Sequence, residues 1–153
     1  MKDPIVEASQ SGWIAEHRER YLASDGADGH MFDSTPAGGP GLVPTLLLTT
    51  LGRKSGQARI MPLIYGETGE GGYVVIASKG GSETHPAWYL NLLDQPNVEV
   101  QVLADKFHAR ARTAEGEERE RLWTQQQALA PIFDGYQENA GARSIPVVVL
   151  ERV

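Results

Sequence analysis

The chain has 153 residues, 41% hydrophobic and 22% charged, with no cysteine and 14 Lys+Arg against 20 Asp+Glu, a net charge of −6. A chain of this length buries roughly 70% of the surface its unfolded form exposes, so a single domain needs no disulfide or structural metal to hold its core. The missing cysteine removes thiol nucleophiles, iron–sulfur clusters and thiolate zinc sites, His17, His30, His85 and His108 are too scattered for a two-histidine ligand motif, and the acidic balance excludes a broad basic face for nucleic acid or anionic lipid.

No apolar stretch of signal-peptide length opens the chain, and its most hydrophobic run, Leu42 to Leu51, is half the length of a membrane span and contains Pro44. The expectation is a cytoplasmic protein with no integral membrane segment. In chain order, Ile5 to about Ser24 carries Trp13, Ile14, His17, Tyr21 and Leu22 at helical spacing between charged positions, which predicts an amphipathic helix. Asp25 to Gly41, with five glycines, Pro36 and Pro40, predicts a long loop.

From there the pattern turns to strands: Val43 to Leu51, Ala58 to Tyr65, Tyr73 to Ser78, the alternating Val98, Val100 and Val102, the alternating Phe107, Ala109 and Ala111, and Ile145 to Leu150. Short Gly-bearing links (Gly52 to Gln57, Gly66 to Gly72) make the first three consecutive antiparallel neighbours, and a tight turn at Ala104 and Asp105 joins the fourth and fifth. Helices are predicted over about Pro86 to Leu93, Ala114 to Leu129 and Pro131 to Gln137. The fold class expected is α+β, an antiparallel barrel of about six strands with flanking helices. It forms one domain of two parts, an N-terminal helix and loop over 1–41 and the barrel core over 42–153.

The turn Gly52-Arg53-Lys54-Ser55-Gly56-Gln57-Ala58-Arg59 gathers three cations and two glycines in an otherwise acidic chain. Glycines let successive N–H groups point one way, a hydroxyl adds a donor, and Arg and Lys give charge-assisted bonds to phosphate or carboxylate oxygens, so the turn is an anion-site candidate. The alternative is a solvated hairpin turn with surface cations. A hairpin of the second and third strands centred near Gly69 pairs residues whose numbers sum to about 138, which sets Arg59 opposite Lys79 in a second Gly-rich basic stretch, Ala77-Ser78-Lys79-Gly80-Gly81-Ser82. Thr84 as N-cap and Pro86 in the first turn would aim the next helix's free N–H groups at the same place. In that helix Trp88 and Tyr89 read as core filler or ligand contacts, while Asn91 is an amide that needs partners wherever it is buried.

The series Thr-Leu-Gly-Arg-Lys-Ser-Gly-x-x-Arg-x-x-Pro-Leu-x-Tyr (Thr50 to Tyr65), Val-Ile-Ala-Ser-Lys-Gly-Gly (Val75 to Gly81), His-Pro-x-Trp-Tyr-x-Asn-Leu (His85 to Leu92) and Pro-x-Phe-x-x-Tyr-Gln (Pro131 to Gln137), followed by Arg143-x-Ile145-Pro146, resembles the deazaflavin-dependent nitroreductase family. The resemblance runs from about Leu42 to the C-terminus. It implies a split β-barrel that binds coenzyme F420, an 8-hydroxy-5-deazaflavin with a phospholactyl and oligoglutamate tail, and reduces electron-poor planar molecules such as quinones, enones, unsaturated lactones and some nitro compounds. By position in the motifs, Arg53, Lys54, Ser55, Gly56 and Arg59 hold the tail, with Lys79 near its phosphate. Met61, Pro62, Leu63 and Tyr65 pass along the deazaflavin, and Ala77, Ser78, Gly80, Ala87, Trp88, Tyr89 and Asn91 complete the cofactor wall. Tyr136 faces the substrate, and Ser78, Tyr65 or Tyr136 is the proton donor. Ala130, Phe133 and Gly135 around Tyr136 depart from relatives that carry more tyrosines there, which counts against nitroimidazole reduction.

Two other classes stay open on the sequence: an FMN-binding split barrel akin to pyridoxamine-phosphate oxidases, and a protein that binds the deazaflavin without catalysis. Monomer and homodimer are both compatible. The apolar set Trp13, Ile14, His17, Tyr21, Met31 and Phe32 lies outside the motifs and is expected either to form a mobile lid over the substrate or to plug one end of the barrel.

Overall fold

The computed structural model describes residues 12–33, 35, 41–77, 85–129 and 144–153. The elements in order are α1 (Gly12–Ser24), β1 (Met31–Asp33), β2 (Leu42–Leu51), β3 (Ala58–Glu67), β4 (Tyr73–Ile76), α2 (Ala87–Asp94), β5 (Asn97–Val102), β6 (Asp105–Thr113), α3 (Gly116–Leu129) and β7 (Val147–Arg152).

Six strands close on themselves in the order β2-β3-β4-β7-β6-β5 and back to β2, every pairing antiparallel. Closure covers most of the sheet edges that an open sheet of this size would present. The expected α+β barrel is therefore the fold. A seventh strand, β1, lies inside what the sequence reads as loop and pairs with the start of β2, Phe32 opposite Val43. Its three residues, flanked by glycines, are too few to show a period.

Alternation sorts the side chains into two cores. Leu46, Leu48, Val75, Val100, Phe107, Val148 and Leu150 point into the barrel, where Ala87, Trp88, Tyr89 and Leu92 of α2 join them. The opposite faces of β4 and β7, Val74, Ile76, Val147 and Val149, pack with Leu122 and Ala114 beneath α3, and Ile64 and Trp123 flank them. Both faces of β4 and β7 are thus buried, which is why Tyr73–Ile76 and Val147–Leu150 are unbroken apolar runs rather than alternating ones. Acidic Glu117 and Glu118 occupy the first turn of α3, where the helix dipole favours them, and Glu118 also pairs with Arg112 of β6.

The hairpin register differs from the expected one. Tyr65 faces Val75 and Gly66 faces Val74, so paired numbers sum to 140. The cause is the turn: Gly69 and Gly71 both take φ of +86°, and the Thr68 hydroxyl accepts from the Glu70 and Gly72 amides, which sets the centre one residue later. This register does not extend to an Arg59–Lys79 pair, and Lys79 lies outside the described residues. The β5–β6 turn falls at Leu103 and Ala104, with Leu103 in the left-handed region at φ +56°. The expected helix over Pro131 to Gln137 and the first part of the Ile5–Ser24 helix also lie outside the described residues.

Candidate active site

The basic turn is built by its own backbone. Gly52 N–H donates to Gln57 O at 2.8 Å, Gly56 N–H to Gly52 O at 2.7 Å, and Gln57 N–H to Ser55 Oγ at 3.2 Å. Gly56 sits at φ +70° with open space where a Cβ would be, so the bend needs glycine for its conformation and leaves room above it. Arg53, Lys54 and Ser55 are exposed, whereas Arg59 is half-buried and arches back over the turn. Its Nη1 donates to Gln57 Oε1 at 3.2 Å and its Nη2 to Ser55 Oγ at 3.4 Å. Its Nε is buried with no partner.

Among the described residues, none of the ion pairs involves Arg53, Lys54 or Arg59. In a chain with net charge −6, three cations on one turn without a carboxylate beside them form a local positive field. An orphaned buried guanidinium nitrogen, a glycine-opened bend and unneutralised cations fit the phosphate and carboxylates of an anionic tail.

Helix α2 fixes this turn from behind. Asn91 is fully buried, its Oδ1 accepting from Arg53 N–H at 3.1 Å and its Nδ2 donating to Thr50 Oγ1 at 3.2 Å. The amide that the resemblance assigns to the cofactor wall makes both of these bonds within the protein: it ties α2 to the end of β2 and to Arg53 in the turn. The contact comes from the second turn of α2 rather than its N-terminus. Pro86, in extended conformation at φ −65° and ψ 150°, stands at the N-cap without a side-chain cap bond, a correction to the expected placement inside the first turn. Thr84 lies outside the described residues.

Beyond the turn, β3 from Ala58 to Ile64 pairs with β2 alone among the described residues, since β4 joins it only at Tyr65–Glu67. Pro62, which lacks an N–H, suits a strand with one unpaired edge. Met61 and Leu63 are half-buried against the inner core and so keep apolar surface beside the cations. Next along the strand is Tyr65, 8% exposed, its hydroxyl 2.8 Å from His30 Nε2. Burial pushes its pKa up to about 12, with smaller upward pushes from Tyr21, Tyr73 and Glu67, so the phenol keeps its proton at neutral pH and can offer it in a hydrogen bond.

Trp88 and Tyr89 are 3% and 6% exposed, and Tyr89 Oη meets Thr113 Oγ1 at 2.8 Å. Both serve here as core, and Ala77 and Ala87 are likewise buried. Ser78, Lys79, Gly80, Tyr136 and the surrounding Ala130, Phe133 and Gly135 lie outside the described residues. A cavity of about 280 Å³ opens elsewhere, on the face of β2 and β5 that carries Leu47, Thr49, Glu99 and Gln101, and the basic turn does not line it. His30 and Thr50 were not site candidates in the sequence: their partners are 35 and 41 positions away, His30 lies outside every motif, and Thr50 opens one without a role attached to it.

Residues 13–152 match the family model described as F420H(2)-dependent quinone reductase. The chain belongs to this family. It is 36% identical over 139 residues to an F420H(2)-dependent quinone reductase of Mycobacterium tuberculosis (strain ATCC 25618 / H37Rv), covering 89% of this chain and 87% of that one. A solved F420-H2 dependent reductase (FDR-A) superposes with a TM-score of 0.64 at 41% identity over 71% of this chain and 94% of its own. A structure described as a domain-swapped dimer superposes at 0.67 and 38% identity over 91% and 97%. The heme storage protein HutZ from Vibrio cholerae, at 17% identity and TM-score 0.55, shares the fold alone. Membership makes the chain an F420H2-dependent oxidoreductase with coenzyme F420 as its cofactor. No helix among the described residues is long and apolar enough to cross a membrane.

Proposed function

We propose that this reductase passes a hydride from the reduced deazaflavin to planar, electron-poor conjugated acceptors, quinones first and enones, unsaturated lactones and some nitro compounds after them, and that it does so in the cytoplasm. The observation that carries the reading is the juxtaposition on one strand: an unneutralised basic turn at its start, half-buried apolar residues along its unpaired edge, and a protonated phenol after them. Arg53, Lys54, Ser55, Gly56 and Arg59 then hold the anionic tail, Met61, Pro62 and Leu63 lie along the ring, and the Tyr65 hydroxyl meets the acceptor oxygen. Ser78, Lys79, Gly80 and Tyr136 join them by the family resemblance, with Trp88 and Tyr89 backing the ring from the core.

The bound coenzyme supplies a hydride and has no accessible route to one-electron oxygen chemistry. The protein's part is to place the acceptor about 3–3.5 Å from the donor atom, exclude water, and meet the charge that develops on the acceptor oxygen with a hydrogen bond. Tryptophan fluorescence titrated with oxidised deazaflavin is expected to saturate in the micromolar range or below, with FMN giving no saturation at the same concentrations. Absorbance-monitored oxidation of the reduced coenzyme by menadione is expected to be catalysed. Tight FMN binding would move the protein to the flavin-binding class, and coenzyme binding without turnover would make it a carrier.

Tail contacts are made equally in ground and transition states, so Lys54→Ala and Arg59→Ala should each raise the coenzyme dissociation constant about tenfold, the loss of roughly one charge-assisted bond, and leave kcat at saturating coenzyme nearly unchanged. The effect should shrink as salt rises, since exposed pairs are screened over about 8 Å at physiological ionic strength. Normal binding with slow turnover in both variants would remove these residues from the tail site.

A further inference from the structure

His30 lies between α1 and β1 on a backbone pinned from both sides. Its N–H donates to Gly26 O at 3.1 Å, and its carbonyl accepts from Thr45 N–H at 2.6 Å and from Thr45 Oγ1 at 3.1 Å. From that fixed base its Nε2 reaches the Tyr65 hydroxyl at 2.8 Å, the rings tilted by 53°. The phenol is fixed at its other end by apolar packing: Tyr73 meets its ring edge-on at 5.5 Å and stacks in turn on Phe107. His30 is the one side-chain hydrogen-bond partner of the Tyr65 hydroxyl among the described residues.

The direction of that bond decides what Tyr65 can do. A phenol has one hydrogen: given to Nε2, it is consumed, but if Nε2–H donates to the phenolic oxygen, the hydroxyl hydrogen is free to point at a ligand. Burial holds the His30 pKa below its ordinary value, so the ring is neutral at pH 7 and one nitrogen is a donor while the other is an acceptor. The ring is half-exposed, and among the described residues Nδ1 makes no hydrogen bond, which leaves it as the nitrogen that would exchange with solvent in the relay.

We propose that His30 positions and reloads the proton donor of the reduction: its Nε2–H donates to the Tyr65 oxygen, leaving the Tyr65 hydroxyl hydrogen for the acceptor. The inference rests on the reading above that Tyr65 meets the acceptor oxygen. Two-electron reduction adds one hydride and one proton to the acceptor. The proton passes from the Tyr65 hydroxyl to the acceptor oxygen, the Tyr65 oxygen takes the Nε2 proton, and Nδ1 takes a proton from water or buffer as Nε2 releases its own. The imidazole ends neutral in its other tautomer and resets by exchange with solvent. No free phenolate accumulates, as befits a buried phenol that ionises so reluctantly.

The first test needs neither coenzyme nor activity. In 15N-labelled protein at pH 7.5, long-range proton–nitrogen correlation is expected to show His30, assigned by its disappearance in His30→Gln, as the Nε2–H tautomer, with the pattern shifting in Tyr65→Phe. A bare Nε2 with Nδ1–H would overturn the proposal. In kinetics with menadione, His30→Ala is expected to lose about a hundredfold in kcat, within the range of general acid catalysis, while the menadione KM and the deazaflavin dissociation constant stay within about threefold. His30→Gln, whose amide can donate to the same oxygen but cannot pass a proton on, should recover no more than about a tenth of the lost rate. Adding His30→Ala to Tyr65→Phe should cost nothing further, because both act through one hydroxyl. Full recovery by Gln, an additive double loss, or an unimpaired His30→Ala would each refute it. A wild-type protein that fails to oxidise the reduced coenzyme refutes the functional reading instead, a result separate from the tautomer.

Discussion

Tyr21→Ala is expected to lower the unfolding free energy by about 3–5 kcal/mol, the range for emptying a large aromatic from a core. Tyr21 has no exposed surface, and its hydroxyl stands where three backbone segments meet: it donates toward Thr45 O of β2 at 3.0 Å and Gln101 O of β5 at 3.3 Å, and accepts from Leu103 N–H at 2.9 Å. Leu103 holds a left-handed φ that costs a non-glycine residue on the order of 1 kcal/mol, so the bond steadies a strained turn. Gly26 seals the same place, since a Cβ on it would lie 2.4 Å from Leu103 Cα. Tyr21→Phe keeps the ring and should cost about 1–3 kcal/mol for the unpaired Leu103 N–H. Urea denaturation of both variants measures the pair. A loss below 1 kcal/mol for the alanine variant would mean that α1 is not anchored through this residue.

That anchor bears on the choice between lid and plug. His17 adds to it: its Nε2 lies 2.7 Å from Gly29 O, and its ring stacks on Phe32 at 5.1 Å. Over its described length α1 is bonded to β2 and β5 and stacked on β1, an arrangement that favours the plug. The apolar spacing of Tyr21 and Leu22 was legible in the sequence, but a phenolic bond to Gln101 spans 80 positions and leaves no local trace.

The same division runs through the site. The barrel was legible because strand period, short glycine-bearing links and the doubly buried run at Val147–Leu150 are all local properties of the chain. The basic turn was legible because its glycines and cations are contiguous. Strand β1 was not, being three residues among glycines, and the β3–β4 register missed by two because the Thr68 hydroxyl, rather than glycine alone, shapes that turn. Asn91 stood out as an amide needing partners. Which partners it has depends on how α2 lies across the end of β2, and no spacing in the sequence carries that.

Asn91→Ala is accordingly expected to affect stability and coenzyme binding together. It strands the Thr50 hydroxyl in a buried place, about 1–3 kcal/mol when a polar group loses its partner without solvent, frees the part-buried Arg53 N–H at a smaller cost, and adds a cavity where the fully buried amide stood. A total near 3 kcal/mol corresponds to a fall of about 6–12 °C in Tm for a domain of this size. Thr50→Val removes only the weaker support, leaves Asn91 Oδ1 on the Arg53 N–H, and should cost about half as much. Since Arg53 begins the turn that presents Lys54 and Ser55, loosening it should also raise the deazaflavin dissociation constant about tenfold in the folded variant, measured by fluorescence below its Tm, with kcat at saturation nearly intact. Thr50→Val should keep near-native affinity. A destabilised Asn91→Ala that binds coenzyme normally would show that the turn holds its shape through the Gly52–Gln57 and Gly56–Gly52 bonds alone and that α2 supports the barrel end without organising the tail site.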